Sequence, residues 1–544
     1  MSEYVQNSFN GGMNLRDSAD ALAVNEYVWA VNARTRDQRV GCVRAPVEDT
    51  SAPTGKKQGL YALAEYLIIF VAGKAYWKKY TETSWTQISG FQMSRTASAL
   101  YATLVTGSSV NLQRLRTDAE TTIAYKTSGT GLATATGTPA GLLIQDGTNQ
   151  PWIIFPDLTC RVTQTYDQWI QGTAQEYVPV GTQMAVAGAK LFILSVDGKR
   201  IYQSVSGRML DFVVNVDTAG NKGGNADTTS HAVSGDVVTA LKAVSLTNLL
   251  VATAKQVWLV ELDYTNKTFG EPRFNNNPVV DAGITNEKSV IELLGDYQFI
   301  DFNGVRSFNA VMNLKFKGQN APFSSKISEL FKERLQSSDD TAAIAFDNYG
   351  IFSVFTTIGH GLLIYDTLLE AWVSIDQHDC IRVKNFAVTT GASTQQLWAL
   401  TAQGRVFQLF AGTDYLQPMV MTRGFTEASL TVEQQGRSVL TQIEECTGGT
   451  LRVIPYVDSK RFGAKSRTLR NTTPALTFPM EYPIAFSNTD RLDIISIPLT
   501  KLPIARVLQV VVTWSGGGAL NSLMLASENS VSQTPTAQQA SNAL

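Results

Sequence analysis

One stretch, Lys190 to Ser204 (KLFILSVDGKRIYQS), constrains the fold more than any other. Its apolar runs Leu191-Phe192-Ile193-Leu194 and Ile201-Tyr202 flank Val196-Asp197-Gly198, and Asp-Gly between such runs is a strong local hairpin signal. Related hairpins recur along the chain. Tyr66 to Tyr80 turns at Gly73, Leu249 to Leu262 pairs an apolar run with Val257-Trp258, Tyr297 to Phe308 turns at Asn303-Gly304, and Gln396 to Leu409 turns at Gln403-Gly404. Gly350 to Trp372 is a longer version. A four-stranded unit of roughly 40 to 50 residues is the period of propeller blades, each of which needs neighbours to bury its apolar faces. The pattern predicts an all-β chain whose centre is a β-propeller of about seven blades, within about six to eight.

The 544 residues exceed what one hydrophobic core serves, so more than one unit is expected. Blades are predicted in the ranges 59–89, 97–163, 177–214, 237–264, 289–311, 342–375 and 383–410, inside a propeller of residues 56–425. Tyr125 to Pro139 reads as a loop or edge hairpin, and Thr218 to Ser230 as an exposed loop. Ser324 to Leu335 places Ile327, Leu330, Phe331 and Leu335 on one face behind a serine cap, which predicts an inserted helix near 324–335.

Residues 1–55 do not read as a blade. The Gly-rich turn Phe9-Asn10-Gly11-Gly12, a short helix or strand over Asn25 to Asn32 and the arginines Arg34, Arg36, Arg39 and Arg44 suggest an arm. Such a composition suits a contact with another subunit. The candidate interface residues are Phe9, Leu15, Trp29, Arg36, Arg44, Ile327, Leu330 and Phe331. Past Thr426, strands over 438–445, 449–457, 492–497 and 507–514 predict an antiparallel β-sandwich spanning 426–526. The polar end 527–544 reads as a flexible tail.

Chemistry is sparse. The four cysteines form no CxxC pair, and His231, His360 and His378 lie in separate regions, which argues against a metal site and against a disulfide framework. No Walker A, GxSxG or post-strand GxGxxG motif occurs. Asp301, Asp347, Asp366 and Asp376 are strand-end acids read as turn caps rather than as a glycosidase pair. No catalytic residue, cofactor or metal is therefore expected. A net charge of −2 gives no general attraction to nucleic-acid phosphates, so any such contact has to be local. No apolar run approaches the ~20 residues of a membrane span, and no secretory signal is read at the N-terminus.

The segments SFNGGMNLRDSADALAVNEYVWAVNARTRDQRVGCVRAP, MAVAGAKLFILSVDGKRIYQSVSGRMLDF, LLVATAKQVWLVE, FSSKISELF and LLIYDTLLEAWVSID, in this order, resemble the tail β-propeller proteins of short-tailed phages, over about residues 8 to 420. The resemblance implies a structural virion protein, called nozzle, hub or packaged-DNA stabilisation protein, made in the host bacterial cytoplasm and placed in the virion tail. It implies a homohexameric ring below the portal and adaptor that retains packaged DNA and conducts it during ejection without tight or sequence-specific binding. The alternatives are a carbohydrate-binding or glycan-cleaving propeller component of a tail, and a propeller scaffold for protein interaction in a cell.

Overall fold

Most strands pair with the strand next to them in sequence, through short turns. The computed structural model describes residues 2–530 apart from 107–111, 114–122, 125–138, 166–176, 205–208, 213–223, 228–235, 264–270, 274–277, 309–322, 332–340, 356–359, 427–432 and 472–491, with scattered single or paired positions also outside the description.

Local alternation produces the hairpins. Lys190–Ser195 pairs with Arg200–Gln203, and Gly198 at the turn has φ 69°, a value glycine reaches without steric cost. The Asp197 carboxylate accepts from the Ser195 hydroxyl and the Lys199 backbone N–H, so the turn's polar groups are satisfied locally. Gly181–Ala187 precedes this pair and Gly224–Asp227 follows it, completing a four-stranded sheet. Sheets with the same order form from Lys57–Leu63 onward, Tyr101–Thr106 onward and Val238–Ala243 onward. Val290–Leu293, Asp296–Asp301 and Gly304–Ser307 make a three-stranded sheet among the described residues. Ala342–Phe346 opens the next, and Val383–Thr390, Gln395–Thr401 and Val406–Gln408 make the last.

The leading strands form a circuit. Lys57–Leu63 touches Tyr101–Thr106, which touches Gly181–Ala187, which touches Val238–Ala243. That strand meets the short turn Glu287–Ser289 ahead of Val290–Leu293, the turn and Val290–Leu293 both touch Ala342–Phe346, and Ala342–Phe346 touches Val383–Thr390, which returns to Lys57–Leu63. Apolar faces are buried between successive sheets. Phe192, Leu194 and Ile201 of one meet Leu249, Val251 and Trp258 of the next, each side chain contributing about 1.5–3 kcal/mol of burial. The circuit closes covalently distant parts of the chain: Val47–Glu48 supplies the fourth strand of the last sheet, pairing with Phe407 and Gln408.

A second pair of sheets stands beside this circuit. Met419–Thr422, Leu508–Trp514, Thr447–Val457 and Lys465–Asn471 form one, while Leu492–Pro498, Glu433–Glu444 and Ala519–Ser530 form the other. Leu451, Val453, Val510 and Val512 from the first share one core with Val439, Ile443, Leu523 and Leu525 from the second.

The segment 1–55 differs from the expected arm. Ser2–Gln6 pairs with Ala519–Ser530, and the hairpin Ala33–Arg36/Arg39–Cys42 pairs further along the same edge of that strand, whose opposite edge is taken by Glu433–Glu444. Glu26–Val31 is a strand, bridged at Val31 to Ile375 and paired with Met419–Thr422. One continuous sheet thus runs from the circuit into the second body. The Gly-Gly turn docks tightly: a Cβ on Gly12, whose φ is 75°, would lie 2.6 Å from the Trp372 carbonyl oxygen.

Three further expectations change. The Ser324 helix is a 3-10 segment, Ser325–Phe331, with Ile327 outside helical angles; residues 332–335 lie outside the described set. Its amphipathic pattern is served by one short turn wedged under the N-terminal segment, with the Lys326 carbonyl accepting from the Leu15 and Arg16 backbone N–H groups. Within Thr218 to Ser230, Gly224–Asp227 is a strand because the neighbouring edge Arg200–Gln203 offers unpaired backbone groups. Residues 527–530 continue the Ala519–Ser530 strand on Glu433–Gly436. Most of Tyr125 to Pro139 lies outside the described residues.

Candidate functional site

Because the leading strands converge, their side chains line an open cavity on the axis of the circuit. Its volume is about 240 Å³, and every leading strand contributes to its wall, including Thr103, Met184, Ile344 and Phe386. Lys242, Glu287 and Lys288 bring charge to it. Glu287 opens a short 3-10 turn held by Asn286, whose side chain accepts from the Lys288 and Ser289 backbone N–H groups. Burial raises the Glu287 carboxyl above its ordinary value, and Lys288 and Lys242 only partly oppose this. Tyr61 is raised well above the ordinary phenol, first by burial and then by Glu287, while its hydroxyl donates to the Leu100 carbonyl at 2.7 Å. Asn385 is used structurally: its oxygen accepts from the Leu60 N–H at 2.7 Å, linking last and first sheets.

The cavity is on the scale of several water molecules. A duplex, whose major groove alone is about 12 Å wide, cannot pass it.

A second charged constellation holds the circuit shut. Lys78 is buried with its amine 2.5 Å from Asp49 and 4.2 Å from the Trp398 ring centroid. Burial by itself would raise the Asp49 carboxyl, but hydrogen bonds from Lys78, Ser51 and Trp85 together hold it below its ordinary value. Glu48 pairs with Arg405 of the last sheet. Further along, Arg34 reaches Asp376 with both terminal nitrogens and lies 5.3 Å from the Tyr349 and Phe410 rings. Arg36 donates to the Tyr349 hydroxyl at 2.8 Å and lies 3.3 Å from Asp366.

The residues singled out as interface candidates are distributed otherwise than an exposed arm and helix would place them. Phe9, Ile327, Leu330 and Phe331 are buried in this chain's own core, because Phe9 packs beside Tyr27 and the 3-10 turn faces the same cluster. Leu15 and Trp29 are half-buried against that core, and Arg36 is engaged by Tyr349 and Asp366. Arg44 is exposed beside Tyr415. The strand-end acids each have local work. Asp301 accepts from Arg306 and the Asn303 N–H, Asp366 caps the Leu368 turn, Asp376 holds Arg34, and Asp347 sits in a tight turn at φ 48°.

His378 accepts at Nδ1 from the Cys380 N–H at 3.1 Å; burial lowers its pKa, with Asp376 opposing. Burial pushes the Cys42 thiol up to about 12 and Cys160 up to about 11, so both are thiols at neutral pH. His231 lies outside the described residues. Among the described residues, no three His, Cys, Asp or Glu side chains come together as metal ligands, and no helix is long and apolar enough to cross a membrane.

The reading from sequence passed over the cavity charges and the Lys78–Asp49 pair. The available signal was a polar or charged residue among the apolar residues of a leading strand, as at Lys242 and Asn385.

No family model matches the chain, and no curated protein matches it. Among solved structures, the mitotic checkpoint complex matches at 10% identity and a TM-score of 0.36, over 68% of this chain and 93% of that one. The β-propeller domain of Myceliophteria thermophila Cps50 (Swd1) matches at 10% identity and a TM-score of 0.30, over 68% of this chain and 100% of that one.

Proposed function

We propose that the chain is a structural subunit of a short-tailed phage tail, a nozzle or hub protein that assembles as a hexameric ring below the portal and adaptor. In this reading the successive sheets are the seven blades of one propeller, and the two-sheet body is the β-sandwich beside it. The observation that carries the proposal is where the segments bearing the resemblance lie. The Lys190–Ser204, Leu249–Leu262 and Leu362–Asp376 hairpins occupy separate sheets of one closed circuit, while the SFNGGMN turn and Glu26–Val31 weld that circuit to the second body.

The small axial cavity gives the ring its purpose. Since a duplex cannot thread one chain, a genome would run along the axis between copies, through a channel walled by rigid subunits. The subunit's work is shape, and a net charge of −2 keeps the overall counterion-release attraction to DNA low.

Light scattering and negative-stain imaging of the purified protein, alone and with a portal–adaptor complex, test the reading. Rings of six, or six copies seated below the portal, are expected. A stable monomer that cleaves glycans would sink it in favour of a carbohydrate-active tail component.

A further inference from the structure

Three large apolar side chains are exposed at turn tips. Leu246 is 76% exposed between Val238–Ala243 and Asn248–Thr253, Leu294 is 61% exposed between Val290–Leu293 and Asp296–Asp301, and Leu368 is 66% exposed between His360–Asp366 and Ala371–Asp376. All three turns lie on one face of the circuit. The Tyr297 hydroxyl donates to the Val244 carbonyl, bringing the first two turns together, and a Cβ on Gly350 would lie 2.9 Å from Leu293, bringing the second beside the third sheet. Leu294 also adopts φ 55°, a left-handed conformation that is costly for a leucine. Exposure together with strain marks a residue kept for something other than this chain's stability. Glu292, Asp347 and Glu370 are exposed around these tips, so the rim is apolar with an acidic border.

The far edge of the second body has the opposite sign. Residues 452–470 carry six cations, Arg452, Lys460, Arg461, Lys465, Arg467 and Arg470, against the single acid Asp458. All six are exposed, and Asp458 is occupied by the Arg506 and Val507 backbone N–H groups. Among the described residues Lys465–Asn471 is an edge strand bonded only to Thr447–Val457, and Leu492–Pro498 beside it exposes Ile494. An apolar rim bordered by acids and a basic edge bordered by an apolar side chain are complementary in both respects. They lie on different parts of one chain, which is the arrangement a head-to-tail contact requires.

We propose that the Leu246/Leu294/Leu368 rim of one copy receives the basic edge strand Lys465–Asn471 of a second copy, making a heterologous contact that repeats around a ring. It rests on the ring reading above and names the surfaces that make it. Edge-strand lysines and arginines also discourage unwanted strand pairing, a role that reversing their charge would leave intact.

The test uses full-length protein and light scattering at concentrations where the unmodified chain assembles. Arg461→Glu/Lys465→Glu/Arg467→Glu, and separately Glu292→Lys/Asp347→Lys/Glu370→Lys, are expected to weaken assembly by about tenfold or more. A chain carrying both sets regains it. Leu294→Gly is expected to weaken assembly while raising the monomer's thermal midpoint, a pair of opposite signs that misfolding does not produce. Assembly unaffected by either charge set, or no recovery in the combined chain, overturns the surface pairing and leaves the ring reading standing. A monomeric unmodified protein overturns both.

Discussion

Lys78 shows how a single buried residue fixes the geometry of this chain. Its ammonium sits between Asp49 and the Trp398 ring, so it ties the N-terminal segment, the first sheet and the last sheet at one point. Lys78→Met leaves the Asp49 carboxylate buried without its cation, and a loss of about 3 kcal/mol is expected in urea unfolding. Lys78→Met with Asp49→Leu should recover part of that loss, because no uncompensated charge remains. Glu287 behaves in the opposite way. Its pKa is raised in the folded state, so its contribution favours folding when it is protonated, below the ordinary carboxylate range, and is lost as pH rises through the raised value. Glu287→Gln is therefore expected to unfold at a higher temperature than the parent chain at pH 7, with the difference vanishing near pH 4; an unchanged difference across that range would contradict the assignment. At Gly12, any side chain meets the Trp372 carbonyl and the backbone is left-handed, so Gly12→Ala should cost more than about 1 kcal/mol, read by the same unfolding measurement.

At the scale of elements, the N-terminal strands have the largest consequences. Val47–Glu48 completes the last sheet and Glu26–Val31 joins the two bodies, so removing residues 1–50 takes away an edge of one and a central strand of the other. The truncated chain is expected to lose cooperative unfolding and to bind a dye for exposed apolar surface; a truncated chain with an unchanged sharp transition would show that these strands only decorate the fold. Most ring hairpins were legible in sequence because alternation and turn residues act within about ten positions, as at Asp197-Gly198 and Asn303-Gly304. The N-terminal strands were not. Ser2–Gln6 has an ordinary alternating pattern, but its partner Ala519–Ser530 is at the other end of the chain, and nothing local records that pairing. Gly224–Asp227 has no strand signal of its own and is a strand only because Arg200–Gln203 offers it an open edge. The Ser325–Phe331 turn retained its apolar face while losing helical length, since its buried side chains were bound for a core built from distant segments.

For the molecule as a whole, the sheet running from Ala342–Phe346 through Glu26–Val31 to Lys465–Asn471 makes the two bodies mechanically one. Arg34 and Arg36, reaching Asp376 and Asp366, add charge pairing across the same junction. Calorimetry of the full chain is expected to show one main transition, and two well-separated ones would mean that the junction transmits little. The amino-acid sequence by itself determined the class of structure: strands, their turns and the paucity of motif chemistry follow from short-range patterning and from residue types. Tertiary structure alone decided which strands close the circuit, which charges face its cavity and which of the expected interface residues are consumed inside the chain. The physical reason is range. Periodicity and turn chemistry are properties of neighbours in sequence, whereas burial of Phe9, pairing of Val47 with Gln408 and the meeting of Lys78 with Trp398 depend on residues tens to hundreds of positions apart that only the folded chain brings together.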